Sequence, residues 1–302
     1  MTKIATTVSS TSPPAGAVPL PDALLDELAA KIGAGTTVAG IGESTRFSRE
    51  TFAVRDQIFR RLARRHEFRA LALQDHAAAA AKLDRYVTTG DGTAGSALDD
   101  AWRPWRTAEM AAALEWIREF NRDHPDDLIR IFGVKPAQAQ PADYDAQLWA
   151  DTISGYQRRT GVRVAYWDGI AHTAASPATL GLDPERGPQP TAGGLLRRHY
   201  GAGYASVAIG FHHGELGIAT VPDPAADLLD AKLGAPRLPF RWLDLRSGDV
   251  RRLWDGAARL RVIGGVYDPS RDAAEHMAVA SLADAFDILI HIRQATPVRS
   301  LP

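Results

Sequence analysis

The stretch VAGIGESTRFSRETFAVRD, Val38 to Asp56, carries the clearest signature in the chain. The run Val38-Ala39-Gly40-Ile41-Gly42 reads as a buried strand that stops abruptly at Glu43. Ser44, Thr45 and Ser48 offer N-cap oxygens, and helical spacing follows them. A carboxylate at the C-terminal end of a strand, facing a helix N-terminus, occupies a common site position in open α/β sheets. Arg46 follows three residues later, and Arg55 projects from the first turns of the helix. One acid and two guanidinium groups thus converge on one strand end. The plainer reading of Glu43 and Arg55 is a structural ion pair that ties strand to helix.

Outward from this stretch, strands and helices alternate. Helix Asp22 to Ile32 precedes strand Thr36 to Ile41, and a helix from Ser48 to His66 leads to strand Arg69 to Leu73. Helical pattern follows through Ala77 to Tyr86, then the Gly-rich segment Thr88 to Ser96 reads as loop. Met110, Leu114, Ile117 and Phe120 mark one face of a helix from Thr107 to Arg122. Strand Leu128 to Phe132, helix Asp143 to Arg159 and strand Val162 to Trp167 come next. After a Pro- and Gly-rich loop from Ser176 to Pro190, helix Ala192 to Tyr200 leads to strand Ala205 to Phe211. Apolar runs at Phe240 to Leu245, Arg261 to Val266 and Ile288 to Ile292 complete the pattern. The alternation predicts an α/β fold: a mostly parallel central sheet with helices on both faces, in three layers, and a cleft at the C-terminal strand ends. Residues 1–20 read as a disordered lead-in, and 21–302 as one α/β domain.

Composition excludes several classes of function. The 302 residues carry a formal net charge of −1, so no strong field recruits nucleic acid or an anionic membrane. The basic cluster Arg60 to His66 ends a helix, where cations complement the dipole. No cysteine is present, which removes disulfides, thiolate metal sites and a Cys nucleophile. No apolar run reaches membrane-spanning length, and the N-terminus lacks the apolar core of a secretory signal, so a cytoplasmic location is expected.

A parallel sheet gathers successive strand ends on one rim, and the chemical groups stand there. The second strand ends in Gln74-Asp75-His76, the fourth in Trp167-Asp168-Gly169 with His172 just beyond, and the fifth in Phe211-His212-His213-Gly214. Trp102, Trp105 and Arg106 lie before the amphipathic helix. Each has a plainer reading. His76 can simply end a segment, Asp168-Gly169 can be a turn, and the tryptophans are more often packing. His212 and His213 diverge on an extended strand, so at most one enters a given cleft. No nucleophile elbow, P-loop or dinucleotide fingerprint is present. His212-His213 with Glu215 is the one local cluster with metal-ligand character.

Together these blocks resemble the erythromycin esterase-like superfamily. GESTRFSRETFAVRDQIFRRLARRHEFRALALQ is similar to its opening pattern, G-E-x-T-H-G-x-x-E-x-x-x-x-R followed by H-x-F-R-A-x-x-x-E. WRPWRTAEMAAALEWIREFNRDHP, LIRIFGVKP, VAYWDGIAHTA, YASVAIGFHHGELGIA, RVIGGVYDP and FDILIHI continue the likeness in order, covering most of residues 36–295. The resemblance implies the same α/β core and a cleft at the strand ends. Glu43 and Arg55 stand at site positions of the family and keep their type. The motif histidine, taken in that family as the base that activates water, is Arg46 here. The acid ending the next strand is Gln74, the Asp of G-F-D is Lys135, and the first histidine of W-x-H-N-x-H is Gly169, leaving His172. The segment between Lys135 and Val162 is also short for the family, which predicts a reshaped cleft.

Arginine is a cation at neutral pH and cannot take a proton from water, but it can hold a carboxylate or stabilise an oxyanion. Glu43, Arg46, Arg55, Gln74, His76 and His172 are therefore expected around one pocket. Glu43 would be the proton-transferring carboxylate, kept at low pKa by Arg46 and Arg55 until substrate draws an arginine away, with His172 as the complementary acid. Trp105, Arg106, Asp168, His212 and His213 would join Gln74 and His76 in binding substrate. No metal or cofactor is expected. This set suits a tailoring enzyme that cyclises, eliminates or isomerises a small molecule or modified peptide. An ester or lactone hydrolase with a relocated base, and a catalytically inactive binding relative, are the alternatives.

Overall fold

In a computed structural model, residues 20–136 and 144–301 are described. The expected lead-in lies outside them except for Leu20. The strands in chain order are β1 (Val38–Glu43), β2 (Phe68–His76), β3 (Arg130–Lys135), β4 (Arg163–Gly169), β5 (Thr179–Leu180), β6 (Tyr204–Glu215), β7 (Thr220–Val221), β8 (Phe240–Asp244), β9 (Ala258–Arg261), β10 (His276–Val279) and β11 (Ile288–Ala295). Among the described residues, an eight-stranded sheet has the order β3-β2-β4-β1-β6-β11-β8, with β7 paired to β6. All its pairings are parallel except β8 on β11 and β7 on β6. Helices cover both faces. The fold is the expected three-layer α/β arrangement. Among the described residues, no helix is long and apolar enough to cross a membrane.

The helix after β1 shows why the opening stretch folds as read. Ser48 is its N-cap and accepts a hydrogen bond from the Thr51 amide at 3.2 Å. Glu50 lies in its first turn and Arg64, Arg65 and His66 in its last, so both ends complement the dipole. Phe52, Ile58, Phe59 and Leu62 bury its apolar side. Along β1, Ala39 and Ile41 pack with this helix, whereas Val38 joins the core on the opposite face with Tyr166 and Trp149.

Gly42 has a positional reason. A Cβ there would stand 2.2 Å from Thr173 Oγ1 and 2.8 Å from Ile170 Cα. The short helix Ile170–Thr173, which carries His172, therefore rests directly on the backbone of β1.

Several boundaries differ from the sequence reading. The helix expected from Asp143 begins at Ala146, capped by Asp145, and Asp143 lies outside the described residues. The expected loop Thr88 to Ser96 contains the end of one helix at Thr89 and the start of another at Ala94, capped by Thr93. A separate three-stranded antiparallel sheet, β5-β10-β9, was not expected. Its strands are two to four residues long, too short to leave a period.

Candidate active site

Two clusters form at neighbouring strand ends, on opposite faces of the sheet. The first is the Glu43–Arg55 ion pair, in which both side chains are wholly buried. Thr51 Oγ1 donates to the other Glu43 carboxylate oxygen at 2.8 Å. The Arg55 guanidinium lies against the rings of Trp167, Trp105 and Phe52, at 4.5, 5.0 and 5.1 Å from their centroids. Burial pushes the Glu43 carboxyl up before Arg55, Thr51 and Arg46 pull it back, and the outcome is upward. This corrects the expectation of a low pKa: two cations do not offset complete removal from water. Burial likewise lowers Arg55 to about 10, which leaves it charged at neutral pH.

The second cluster centres on Asp168, also fully buried. One oxygen takes Arg46 at 2.5 Å, His172 Nδ1 at 2.8 Å and the Gly169 amide at 2.6 Å, and the other takes the Tyr166 hydroxyl. Burial alone would raise this carboxyl, but His172, Arg46 and Tyr166 together hold it below the usual range. An ionised Asp168 fixes the imidazole with Nδ1–H toward the carboxylate and leaves Nε2 for another partner. The His172 ring stacks on Tyr144 at 4.0 Å and meets Trp149 edge-on at 5.2 Å.

His172 and Gln74 line a cavity of about 800 Å³, walled also by Tyr144, Trp149, Thr191 and Arg198. This volume falls in the range of small-molecule sites, about 300–1,000 Å³. Arg46 lies just behind the lining. It donates to the Gln74 side-chain oxygen and places its guanidinium 4.8 Å from the Trp102 ring. A Cβ on Gly169 would stand 3.4 and 3.5 Å from the two terminal Arg46 nitrogens, in van der Waals contact, so the Arg46 guanidinium lies directly beside this position.

The structure thus brings Arg46, Gln74, Asp168 and His172 together. Glu43 and Arg55 lie beneath them, without access to the cavity. Trp105 is buried, and its Nε1–H donates to the Gln74 backbone oxygen at 3.1 Å, so it supports the rim from behind. His76 precedes a helix and has its ring Nδ1 3.0 Å from the Pro136 oxygen. Arg106 is half-buried, and its backbone oxygen accepts from the Leu301 amide. Neither lines the cavity. His212 and His213 lie at the end of β6 and are not part of the cavity either. Their rings do not diverge as expected: the two Nδ1 atoms are 2.8 Å apart, drawn together beside Asp223. Burial and nearby Arg293 lower His212 to about 4.

The sequence reading left Tyr166, Tyr144, Trp149 and Lys135 outside its site. Tyr166 had a signal, because residues two apart on a strand share a face with Asp168. Buried Lys135 sits between the rings of Trp102 and Trp149, at 4.9 and 5.7 Å.

Comparison with known proteins follows the same lines. The erythromycin esterase family model matches residues 63–148 and 135–295. No curated protein gives a significant sequence match. A succinoglycan biosynthesis protein of known structure superposes with a TM-score of 0.77 at 18% identity, covering 92% of this chain and 93% of its own. A Bacillus cereus protein gives 0.71 at 16% identity, covering 94% of this chain and 100% of its own. A histidine-to-asparagine variant of erythromycin esterase EreC, in its open conformation, gives 0.65 at 13% identity over 90% of this chain and 94% of its own. At such identities these likenesses describe the fold.

Proposed function

The chain belongs to the erythromycin esterase family, and from that premise we propose that it is an acid–base enzyme whose proton-transfer group is His172. The observation that carries this reading is the 2.8 Å contact between His172 Nδ1 and an ionised, buried Asp168, with the same ring on the wall of a cavity of about 800 Å³. Asp168 orients the imidazole. Arg46 is a positioning residue: it holds Asp168 and Gln74 from behind. Glu43 and Arg55 form the floor beneath this assembly rather than its reactive part.

The reaction best supported is cyclisation, elimination or isomerisation of a small molecule or modified peptide, as in the tailoring of natural products. Two positions that carry histidine in the family pattern hold Arg46 and Gly169, and the Arg46 guanidinium, paired with Asp168, lies beside Gly169. One imidazole remains. A single imidazole suffices to take a proton from one substrate atom and return it to another. The cavity walls suit a substrate of moderate size with apolar and anionic parts: Tyr144 and the exposed Leu180 offer apolar surface. Arg186 and Arg198 make no ion pair among the described residues and can meet anionic groups.

Hydrolysis is the second reading, because an oriented histidine can also activate water. Intact-mass analysis after incubation with candidate lactones, esters and modified peptides distinguishes them. An unchanged mass with altered chromatography (isomerisation or cyclisation), or the loss of a leaving group such as water (elimination), dependent on His172, supports the first reading. A gain of one water supports the second. Turnover unaffected by His172→Ala overturns both.

A further inference from the structure

The end of β6 carries a second constellation, which the reaction proposed above does not use. His212 Nδ1, His213 Nδ1 and an Asp223 carboxylate oxygen form a small triangle: 2.8 Å between the nitrogens and 3.5 Å from each nitrogen to the oxygen. Ligand atoms held about 2.0–2.2 Å from a tetrahedral zinc ion stand about 3.3–3.6 Å from one another, so the two nitrogen–oxygen sides match one face of such a polyhedron, and the hydrogen-bonded nitrogen pair must part by about half an ångström to complete it. Two imidazoles and one carboxylate, with a fourth position open, form a familiar donor set for a divalent transition metal.

Three features of the chain build this triangle. First, the hairpin from β6 to β7 pairs Gly214 with Val221 and Glu215 with Thr220. Extending that register by two residues on each strand sets Asp223 opposite His212. Glu215, the acid expected to join the histidines, is instead hydrogen-bonded to Thr220 across the hairpin. Second, Asp223 stands between Pro222 and Pro224, whose fixed φ angles restrict the chain around it and lower the entropy lost when it binds a ligand. Third, the His212 ring packs on Gly234, where a Cβ would lie 1.9 Å from its Cδ2, and Arg261 binds the His212 backbone oxygen while paired with Asp272. The buried imidazole is held in place, and the other two donors reach solvent: Asp223 is 75% exposed and His213 30%. A metal thus has both a rigid anchor and an entry path. Arg293 adds positive potential nearby, and its guanidinium is engaged by the Gly234 carbonyl at 2.6 Å.

We infer that His212, His213 and Asp223 bind a divalent transition-metal ion of the zinc class, at the rim of the sheet and apart from the His172 cavity. Among the described residues, this is the one group of three or more such side chains with donor atoms close enough to share an ion. On the sheet, β6 and β4 flank β1, so the metal lies two strands from Asp168. It takes no part in the proton transfer assigned to His172.

The test is zinc(II) titration of tag-free full-length protein, after chelator treatment and dialysis, followed by calorimetry. The expected result is one site per chain with a dissociation constant in the micromolar range or tighter. His213→Ala and Asp223→Ala, both at solvent-reaching positions, should each weaken binding at least tenfold while leaving the melting temperature of the metal-free protein unchanged. Cobalt(II) should give a visible d–d absorption that is lost in the same variants. No saturable zinc binding to the folded wild-type chain, or undiminished affinity in both variants, overturns the assignment. Because the readout is binding, the result does not depend on identifying the enzyme's substrate.

Discussion

Glu43 and Asp168 end neighbouring strands, almost level in the β1–β4 register, yet they have opposite surroundings. Glu43 faces the helix Arg49–His66, where Arg55, Thr51 and three aromatic rings seal it. Asp168 faces the other side, and its partner His172 opens onto a cavity. Each is a buried acid paired with a base. The difference lies in the partner. Arg55 is a permanent cation inside the core, so its pair fixes geometry. His172 can exchange a proton and reaches solvent, so its pair can do chemistry. Residue type alone does not separate these roles; the face of the sheet does.

The largest expected effect breaks the comparison directly. His172→Ala should lower kcat/KM by about 10²–10⁴-fold, the usual cost of losing a general acid–base group. Stability should fall as well, because the ring partners the buried Asp168 carboxylate and stacks on Tyr144, so the rate is compared on protein shown to be folded. The matching test on the other face is the double variant Glu43→Leu with Arg55→Met, which should remain folded and keep more activity than His172→Ala. If the double variant is folded but inactive and His172→Ala retains its rate, the reactive acid is Glu43 and the two regions have been assigned the wrong way round.

Next comes stability. Arg55→Met alone leaves the Glu43 carboxylate buried without its cation, and breaking such a pair costs about 3–5 kcal/mol. Replacing both partners with apolar groups removes the unpaired charge, so the double variant should recover most of that loss. Urea unfolding of the two singles and the double measures the cycle. Equal destabilisation in the single and the double would mean that the aromatic packing of Arg55, not its charge pairing, dominates the floor.

A smaller effect sharpens the description of the cavity side. The Arg46 guanidinium lies within van der Waals reach of a Cβ at Gly169, so a longer side chain there should be coupled to Arg46. Gly169→His alone crowds Arg46 and displaces its contact with Asp168. Arg46→His alone leaves a void beside Asp168. Combined, the two histidines relieve the crowding, and the double-mutant cycle should show a favourable coupling of about 0.5–3 kcal/mol. Additive effects would mean that the two departures from the family pattern arose independently of each other's space.

Much of this was legible in the sequence, for identifiable reasons. Apolar runs ending at Glu43, Gln74 and Asp168 marked the rim, because buried parallel strands are continuous and apolar. That same continuity concealed which residue faces which side. Alternation is visible when one face is wet, and here both faces are covered. The sequence therefore points Glu43 and His172 to one pocket, whereas in the structure His172 lines the cavity and Glu43 is sealed on the other face. The Asp223 contribution was hidden for another reason: β7 is two residues long, and the hairpin register that returns Asp223 to His212 exists only in three dimensions. His76 and Arg106 were drawn to the rim by their position in the chain, but their side chains do not line the cavity.

The smallest expected effect is also the most discriminating, because the two acids should respond to pH with opposite signs. Asp168 is held below the ordinary carboxylate range by His172, Arg46 and Tyr166, working against burial. In acid, the unfolded chain therefore binds this proton first. The stabilisation from Asp168 is fully present above the unfolded value of about 3.9 and is lost as pH falls through the lower folded value. Glu43 is pushed upward, chiefly by burial. Its contribution is greatest below the unfolded value of about 4.3 and declines as pH rises toward the higher folded value. Stability of Asp168→Asn and Glu43→Gln, each subtracted from wild type across about pH 3–6 by urea unfolding, isolates the two slopes. The wild-type advantage over Asp168→Asn should rise with pH at the acid end of this range. The advantage over Glu43→Gln should fall with pH above about 4.3, by less than the full cost of breaking its ion pair with Arg55. Slopes of the same sign would show that the Arg55 cation outweighs burial after all and that Glu43 is an acid kept ionised in the core.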